Sequence, residues 1–515
     1  MKNNKKITTK LFIATMLFLS ANLNSATHTV TNGNDAGAGS LREIVANANS
    51  GDTIIFAPNV SEVNLTGSDI EIDKDLTIIG GTGKTTIYAG SRRIFYVDVA
   101  CSLAISNLIL TGAYHYNLVG GGAVFVDYGT FIANSCEFLN NTAYVGVGGG
   151  AVFVDHGTFI ANNCEFLNNT AYVGGGAVFV DYSTFIANNC VFANNTANYY
   201  GGAGGAVYNN GSFTATNCIF SSNTTNGGGG AVAGSFTATN CVFSSNTANY
   251  GGAVGFSEGI FTAINSIFTN NTASIGGAVY AWHSSDVIAI NSTFTNNMGG
   301  AIRGVYIYLY HSTIDKNIGG GCPVFFELYS YNSIITGNTV ADTLNQIEGT
   351  ISGGNSLIEG ENGVTRDLIF GNNTLTDSGY IMPLEYAKTA TRLTKIDIEV
   401  PPEFSADSII IWLQKDQRGK ERPDSGFVTF GAVEFEIVGI VNNYNDTVKI
   451  YTLGHNLYLL GDEIKDAVLY NVLGQKITEY ENSTIDLNHL SLGIYFLHYT
   501  EKASNLPRVV KLLRK

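Results

Sequence analysis

The stretch GGAVFVDHGTFIANNCEFLNNT, residues 149–170, decides the fold, because the chain repeats its pattern nine times. Within it Phe159 and Ala161 are two residues apart, and so are Cys164 and Phe166. A spacing of two places side chains on the same face of a β-strand, whereas helices need spacings of three and four. The copies recur every 20 to 28 residues, a period typical of a solenoid in which each copy forms one coil.

The fold class that follows is all-β: a right-handed parallel β-helix followed by a small C-terminal β-sandwich. Strands of successive coils pair in parallel about 4.8 Å apart, and connections between parallel strands strongly favour the right-handed sense. We place the β-helix with its N-terminal cap at residues 27–365, with the regular repeats over about 120–340. An amphipathic helix at residues 40–49 is expected to cap the first coil, and residues 366–436 to close the last.

Two polar columns run through the repeats. The first column lies two residues before the position of Phe166. It holds a cysteine in five copies and a serine in four, which predicts an internal stack of free thiols. The second column lies three residues after the position of Phe166 and holds an asparagine in all nine copies. There the amide can bond the turn and the asparagines of neighbouring coils. The predicted ladder consists of Asn141, Asn169, Asn195, Asn223, Asn246, Asn271, Asn297, Asn317 and Asn338.

The N-terminus and the net charge indicate where the protein works. Residues 1–26 combine basic residues, an apolar run and a small-residue end, the layout of a secretory signal peptide, with a retained anchor as the alternative. No other stretch reaches the roughly 18 apolar residues of a membrane helix, so we expect no transmembrane helix in the mature protein. The net charge of −15 argues against nucleic acid as a partner.

The composition changes after Glu436, where glycine becomes rarer. Residues 437–447 are predicted to be a linker. Residues 448–515 alternate short apolar strands with turns at intervals of about 8–12 residues, which favours a small β-sandwich. On these grounds alone it is only a compact β domain, and an appended β-sandwich that binds carbohydrate is the alternative interpretation.

The β-helix region resembles known surface proteins. GAGSLREIVANANSGDTIIF, residues 37–56, is similar to the N-terminal cap of many bacterial β-helix surface proteins, although the cysteine often found before Ser-Leu-Arg-Glu is absent. The repeats resemble those of chlamydial polymorphic outer-membrane proteins, and DQRGKERP, residues 416–423, with GAVE, residues 431–434, resembles the closing segment of the same broad group. This resemblance covers residues 27–436 and implies the fold more than any activity, because such helices serve adhesins and enzymes alike.

The C-terminal region contains, in order, YNVLGQK, residues 470–476, LNHLSLGIYF, residues 487–496, and a terminal basic strand. In this order these elements resemble the sorting domain of proteins exported by the type IX (Por) secretion system of Bacteroidetes. The resemblance covers residues 446–515. It implies the type IX secretion machinery as a partner, transit across the outer membrane, and removal of this domain.

Outward acidic residues are candidates for a metal site. Asp127, Asp155 and Asp181 occupy one outward column of three successive coils. Like charges one coil apart repel, so these carboxylates are either well solvated or bridged by a cation. We expect no cofactor, except that the sequence leaves open a Ca²⁺ ion at this aspartate column.

Outward aromatic residues are candidates for ligand binding. Stacked exposed tyrosines can hold a sugar face or anchor a protein partner. The alternative is that they lie under residues 366–434 as the chain folds back. The same two interpretations apply to Trp282. The candidates are Trp282, Tyr306, Tyr308, Tyr310, Tyr329 and Tyr331.

We therefore expect a secreted or outer-membrane-surface protein that is non-enzymatic and adhesin-like, with a glycan or cell-surface protein as its ligand. Arg303 and Lys316 are the only basic residues between positions 120 and 320, and no cluster of acid, base and metal ligands is visible. The alternative is a polysaccharide lyase or glycoside hydrolase on the same scaffold, with its site in the less regular residues 303–331. A structural surface-layer component is a third hypothesis.

Overall fold

The structure, a computed structural model, is nearly all β and forms a parallel β-helix of about 12 turns, which confirms the predicted solenoid. Of the predicted signal peptide, residues 1–24 lie outside the described part of the chain. The described residues are 25–116, 120–199, 203–319, 322–340, 343–344, 347–354, 356–359, 364, 390–391, 406–417, 420–422, 427–428, 432, 449–453, 456–460, 464–471, 476–479, 484–486, 493–501 and 507–514.

The widest sheet, called the wide sheet below, contains 19 parallel strands. Most coils give it two segments, and in several coils these run on as one strand, as in Val178–Asn188. Its strands are Thr27–Val30, Thr53–Phe56, Ile70–Ile72, Leu76–Ile79, Phe95–Val97, Ser102–Ser106, Val124–Asp127, Thr130–Asn134, Val152–Asp155, Thr158–Asn162, Val178–Asn188, Val207–Thr216, Val232–Ala233, Thr237–Thr239, Val254–Ile264, Val279–Ile290, Ile302–Tyr310, Cys322–Tyr331 and Ile347–Gly354.

A second sheet, the phenylalanine sheet, contains 13 strands. Its register pairs Phe138 with Phe166 and Phe166 with Phe192, so the columns of the sequence repeat are true spatial columns. Its strands are Glu62–Leu65, Thr85–Ala89, Leu108–Thr111, Glu137–Leu139, Glu165–Leu167, Val191–Ala193, Ile219–Ser221, Val242–Ser244, Ile267–Thr269, Thr293–Thr295, Thr313–Asp315, Ile334–Thr336 and Leu357–Ile358.

A third, narrower sheet of five strands begins at Tyr114 and closes the coils from there onward. Single β-bridges continue this sheet beyond Thr225 as far as Thr339. There the strand Thr339–Val340 pairs antiparallel with Thr343–Leu344. The five strands are Tyr114–His115, Thr142–Gly149, Thr170–Gly175, Thr196–Ala197 and Thr224–Thr225.

Stacked phenylalanine rings fill the core along the axis. The rings of Phe138, Phe166 and Phe192 lie 4.7 Å apart between centroids, with planes within 3° of parallel. This separation is the spacing of neighbouring strands, so identical residues at one repeat position stack face to face without any adjustment. Fully burying each such ring stabilises the fold by roughly 1.5–3 kcal/mol.

The cysteine column lies inside the helix beside these rings. The Sγ atoms of Cys164 and Cys190 donate to the carbonyls of Asn162 and Asn188, and the thiols are free. Burial raises the pKa of the Cys241 thiol well above its ordinary value. In the next coil the hydroxyl of Ser266 takes over, accepting from the backbone N–H of Cys241, which explains why the position accepts both residue types.

The asparagine column forms a continuous buried ladder. In each step one amide oxygen accepts from both the backbone N–H and the Nδ2 of the preceding asparagine, as Asn223 Oδ1 does from Asn195 at 3.0 Å. The Nδ2 of Asn223 also donates to the carbonyl of Phe192 at 2.9 Å. The ladder residues are fully buried, so these bonds satisfy turn groups that water cannot reach.

A short helix covers the first coil, as the amphipathic pattern predicts. It runs Leu41–Asn47, with Ser40 as N-cap accepting from the Glu43 N–H. Leu41 and Val45 are buried against the first coil, while Arg42 forms an ion pair with Asp35 at 2.7 Å. The exposed end of the core is thereby sealed.

Part of the predicted closing segment lies against the side of the last coils. Its helix, Ala406–Trp412, packs Ile409 against the wide sheet. After this helix, Asp416 and Lys420 are joined by two hydrogen bonds, because the Asp416 N–H donates to Lys420 O and Asp416 Oδ1 accepts the Lys420 N–H. Two further strands of this region, Ala390–Thr391 and Phe427–Val428, pair antiparallel.

The C-terminal residues form two antiparallel sheets. One contains Lys449–Leu453, Asn456–Leu460 and Thr484–Asp486, and the other Lys476–Glu479, Ile464–Asn471, Gly493–Glu501 and Pro507–Arg514. Throughout the part of the chain that the structure describes, neither helix has the length and apolar character needed to cross a membrane.

Candidate binding cleft

One coil is shorter than its neighbours and leaves a cleft in the wide sheet. Between its two apolar positions, Val232 and Phe236, stand three residues, against five in the preceding coil and six in the following one. The strand is broken at this point into Val232–Ala233 and Thr237–Thr239. Because this coil has fewer residues here, the outer surface of the wide sheet is lower at this coil than at the two longer coils beside it.

The register across the wide sheet shows what bounds this cleft. Tyr208, Ala233, Gly255 and Tyr280 are partners in four successive coils, and the three coils before Tyr208 carry phenylalanine at the same position. Two coils whose side chains end at or before Cβ therefore separate two tyrosines. The cleft has a volume of about 1140 Å³, above the roughly 300–1,000 Å³ of most small-molecule sites.

Three aromatic rings in contact line one side of the cleft, and we call them the aromatic platform. Tyr250 and Tyr280 have ring centroids 5.4 Å apart, and Tyr280 and Trp282 5.6 Å apart, with planes inclined by 30° and 29°. Tyr250 is 47% and Trp282 39% exposed. Large rings so open to solvent can stack with a ligand.

Polar groups complete the lining. The Asn209 Nδ2 donates to Ser235 O at 2.7 Å and so ties the shortened turn to the preceding coil. Asn210, Glu258 and Arg303 line the same cleft, and the first of these donates to Asp181 at 2.7 Å. Burial raises the pKa of Tyr280, only partly offset by the Arg303 charge, so this phenol keeps its proton at neutral pH.

Two glycines keep the floor of the cleft bare. Gly234 has φ +116°, in the left-handed half of conformational space that disfavours side chains, and a Cβ there would lie 2.2 Å from Asn209 O. At Gly255 a Cβ would lie 2.6 Å from Gly229 N. Neither position can accept a side chain without moving the backbone.

The sequence identified only one residue of this cleft. Trp282 was predicted as a binding residue and lies on the platform, whereas Tyr208, Tyr250 and Tyr280 were not singled out. The signal that could have found them is a spacing: the short interval from Val232 to Phe236 between two longer ones.

The other candidate binding residues lie elsewhere, and for three of them the structure shows the second interpretation, a position under the chain as it folds back, instead of an exposed tyrosine surface. Tyr310 is fully buried and Tyr308 and Tyr331 are 6% exposed, in a cluster with Ile409 and Leu413 of the closing segment. Tyr306 and Tyr329 are half-buried at its edge. These tyrosines support the chain that folds back over them.

The three aspartates do form one column, with register pairs Asp127–Asp155 and Asp155–Asp181. Each carboxylate has a separate partner: the Tyr96 hydroxyl at 2.8 Å, the His156 ring at 2.5 Å and the Asn210 amide at 2.7 Å. Among the described residues, no group of three or more His, Cys, Asp or Glu side chains could hold a metal ion. A bridging Ca²⁺ remains a prediction from the sequence.

Within the region proposed for the alternative enzymatic site, residues 303–331, Arg303 lines the cleft, but most of the other described side chains are buried. His311 is 2% exposed and Asp315 is fully buried, its Oδ1 accepting from the Thr336 hydroxyl at 2.9 Å. Glu327 has a lowered pKa because Ser352 and Tyr329 donate hydrogen bonds to its carboxylate. The described acidic groups here are thus engaged in structural contacts.

Comparison with known proteins gives one family match. The Chlamydia polymorphic membrane protein (Chlamydia_PMP) repeat matches residues 163–181 and 265–281, each of which runs from the phenylalanine-sheet strand of one coil to the wide-sheet strand of the next. No curated protein and no solved structure matches the chain significantly. The match and the β-helix together fit a repeat protein of the surface-exposed kind.

Proposed function

We propose that the protein is exported to the cell surface or released, and that it binds a glycan or a cell-surface protein without chemically altering it. The observation that carries this proposal is the cleft, in which exposed aromatic rings and a few polar groups meet on a rigid scaffold. The polymorphic membrane protein repeats support a surface location. Binding sites on strands are held more rigidly than sites on loops.

The experiment that tests binding uses the purified protein labelled at its surface amines. We expect saturable, salt-tolerant attachment to some members of a panel of bacterial and eukaryotic cells. Attachment to none of them would contradict the proposal.

Catalysis is the competing function, and one observation favours it. Glu258 and Arg303 line the same cleft and could supply an acid and a base. Incubation with a panel of uronate and neutral polysaccharides, followed by absorbance and by reducing ends, should give no turnover. Turnover that is lost in Glu258→Gln would put a lyase or hydrolase in first place.

We further propose that residues 1–26 direct export, that residues 437–447 are a linker, and that residues 448–515 are a β-sandwich sorting domain for type IX secretion. The support is the motif order in the sequence and the antiparallel pairing of Ile464–Asn471, Gly493–Glu501 and Pro507–Arg514. The right-handed sense of the β-helix is part of the same proposal.

Deleting residues 448–515 tests the export route in a Bacteroidetes host. We expect the truncated protein to accumulate in the periplasm, as the full chain should in a strain that lacks the type IX translocon. Delivery to the surface that is unaffected by both changes would contradict the route while leaving the binding proposal intact.

A further inference from the structure

We propose that the cleft binds a neutral pyranose glycan, with a sugar ring stacked on the aromatic platform of Tyr250, Tyr280 and Trp282. This inference rests on the proposed function and names its ligand class. A pyranose has one face of C–H bonds and a rim of hydroxyls, so it needs an aromatic surface beside short polar side chains. The cleft has both, because Ser235, Ser257 and the amide of Asn210 line it with the platform.

The charge of the chain and of the column beside the cleft disfavours acidic sugars. The chain carries a net charge of −15, and the aspartate column ends at the cleft, where Asp181 accepts from Asn210 at 2.7 Å. Glu258 adds a carboxylate to the lining, against one cation, Arg303. A uronate or sulfated chain would be repelled, whereas uncharged hydroxyls can donate to Glu258 and accept from Arg303.

The dimensions favour several sugars rather than one. Tyr208 and Tyr280 are three coils apart, which places the two walls roughly 14 Å from each other at about 4.8 Å per coil. The volume of about 1140 Å³ also exceeds what one hexose needs. The bare floor at Gly234 and Gly255 lets a chain of sugars pass between the walls.

The test uses the full chain and its own fluorescence. Trp282 and Trp412 are the only two tryptophans, so Trp412→Phe leaves a single reporter on the platform. The probes are hexasaccharides of glucose, galactose, mannose and N-acetylglucosamine, with a hexauronate and a sulfated hexasaccharide as charged probes. We expect a saturable change in emission with at least one neutral probe and none with the charged probes.

Three variants connect that binding to the cleft, and isothermal calorimetry measures it in each. Trp282→Ala removes a platform ring and should weaken the affinity roughly tenfold or more, the loss typical of a binding hot spot. Ala233→Tyr fills the cleft by continuing the aromatic row that ends at Tyr208, so binding should vanish while the melting temperature changes little. Tyr182→Ala removes a 69% exposed ring outside the lining and should bind like the parent.

The outcomes separate this inference from the function beneath it. Binding of charged probes only, or neutral binding that survives both cleft variants, overturns the glycan inference. If no probe binds but cell attachment is lost in Ala233→Tyr, the cleft binds a ligand of another class and the glycan inference is wrong. If no probe binds and cell attachment survives Ala233→Tyr, the cleft is not the site although the surface function stands; no attachment and no probe binding overturn both.

Discussion

At the scale of the residue, the buried asparagine explains why the repeat tolerates so little change at one position. Each ladder amide is buried, yet its oxygen and nitrogen satisfy groups in the coil before and the coil after, as the amide of Asn223 does. An isosteric carboxylate or an apolar residue would leave some of these groups without a partner. The identity of the residue is therefore set by hydrogen-bond accounting rather than by turn propensity alone.

Asn223→Ala should destabilise the middle of the β-helix by roughly 3 kcal/mol or more, since it leaves Asn195 N–H and Phe192 O buried without these partners and each such group costs about 1–3 kcal/mol. The measurement is the shift in urea midpoint together with hydrogen exchange of the adjacent strands. Asn226→Ala is the matched control: its side chain is exposed, so a change within about 0.5 kcal/mol is expected. Equal effects of the two substitutions would show that the ladder adds nothing.

Asp52 couples the first coil to pH. It is buried, and hydrogen bonds from Asn49 N–H, from His28 and from Ala26 N–H lower its pKa to about 2. Because its pKa in the folded protein lies below the ordinary value of 3.8, its contribution is complete above pH 4 and is lost as the pH falls toward 2.

Melting temperatures between pH 7 and pH 2 test that assignment. Asp52→Asn should melt lower at pH 7 and should lack the part of the acid-induced decline that Asp52 causes between pH 4 and 2. The exposed Asp73→Asn serves as control and should follow the parent curve. A parallel decline in parent and Asp52→Asn would contradict the role of this carboxylate.

At the scale of the element, the tyrosine cluster shows what strand periodicity can and cannot predict. Alternation correctly placed Tyr306, Tyr308 and Tyr310 on the outer face of their strand. Outer is not the same as exposed, because Ile409 and Leu413 come from a segment about a hundred residues later and cover that face. The sequence left both outcomes open, an exposed tyrosine surface or one covered by residues 366–434, because no local pattern in residues 306–331 decides between them.

Ile409→Ala should loosen the closing segment, because a fully buried isoleucine loses roughly 2–5 kcal/mol of packing on truncation. Two residues along the same helix, Ile411 is 64% exposed, so Ile411→Ala gives a matched control with little expected effect. Nitration of Tyr308 and Tyr310, followed by peptide mass spectrometry, should rise in the first variant only. Protection that is unchanged in Ile409→Ala would mean that other contacts hold the segment.

At the scale of the molecule, the repeat predicted the coils well because identical residues fall in register. Phe138, Phe166 and Phe192 occupy the same position of successive repeats in the sequence, and they are register partners in successive strands of the sheet. The cleft was not predicted, since it arises from residues that are absent between Val232 and Phe236, and an alignment by matching columns discards such differences in length. In this solenoid the recurring residues thus specify the architecture, whereas the cleft arises where one coil departs from the repeat.

Removing one coil should therefore shorten the molecule without changing its fold. Val152 pairs with Val178, and Ala151 N–H donates to Ala177 O, so deleting residues 152–177 joins Ala151 to Val178 with every column in place. Each coil contacts mainly its neighbours, so the loss in stability is limited to one interface. We expect an unchanged circular dichroism spectrum, cooperative melting and a molecule shorter by about 4.8 Å in small-angle scattering. Deleting residues 152–164 instead puts Glu165 where Val152 belongs and moves phenylalanine-sheet residues into the wide sheet, so this variant should not fold; equal folding of the two deletions would show that register does not specify the stack.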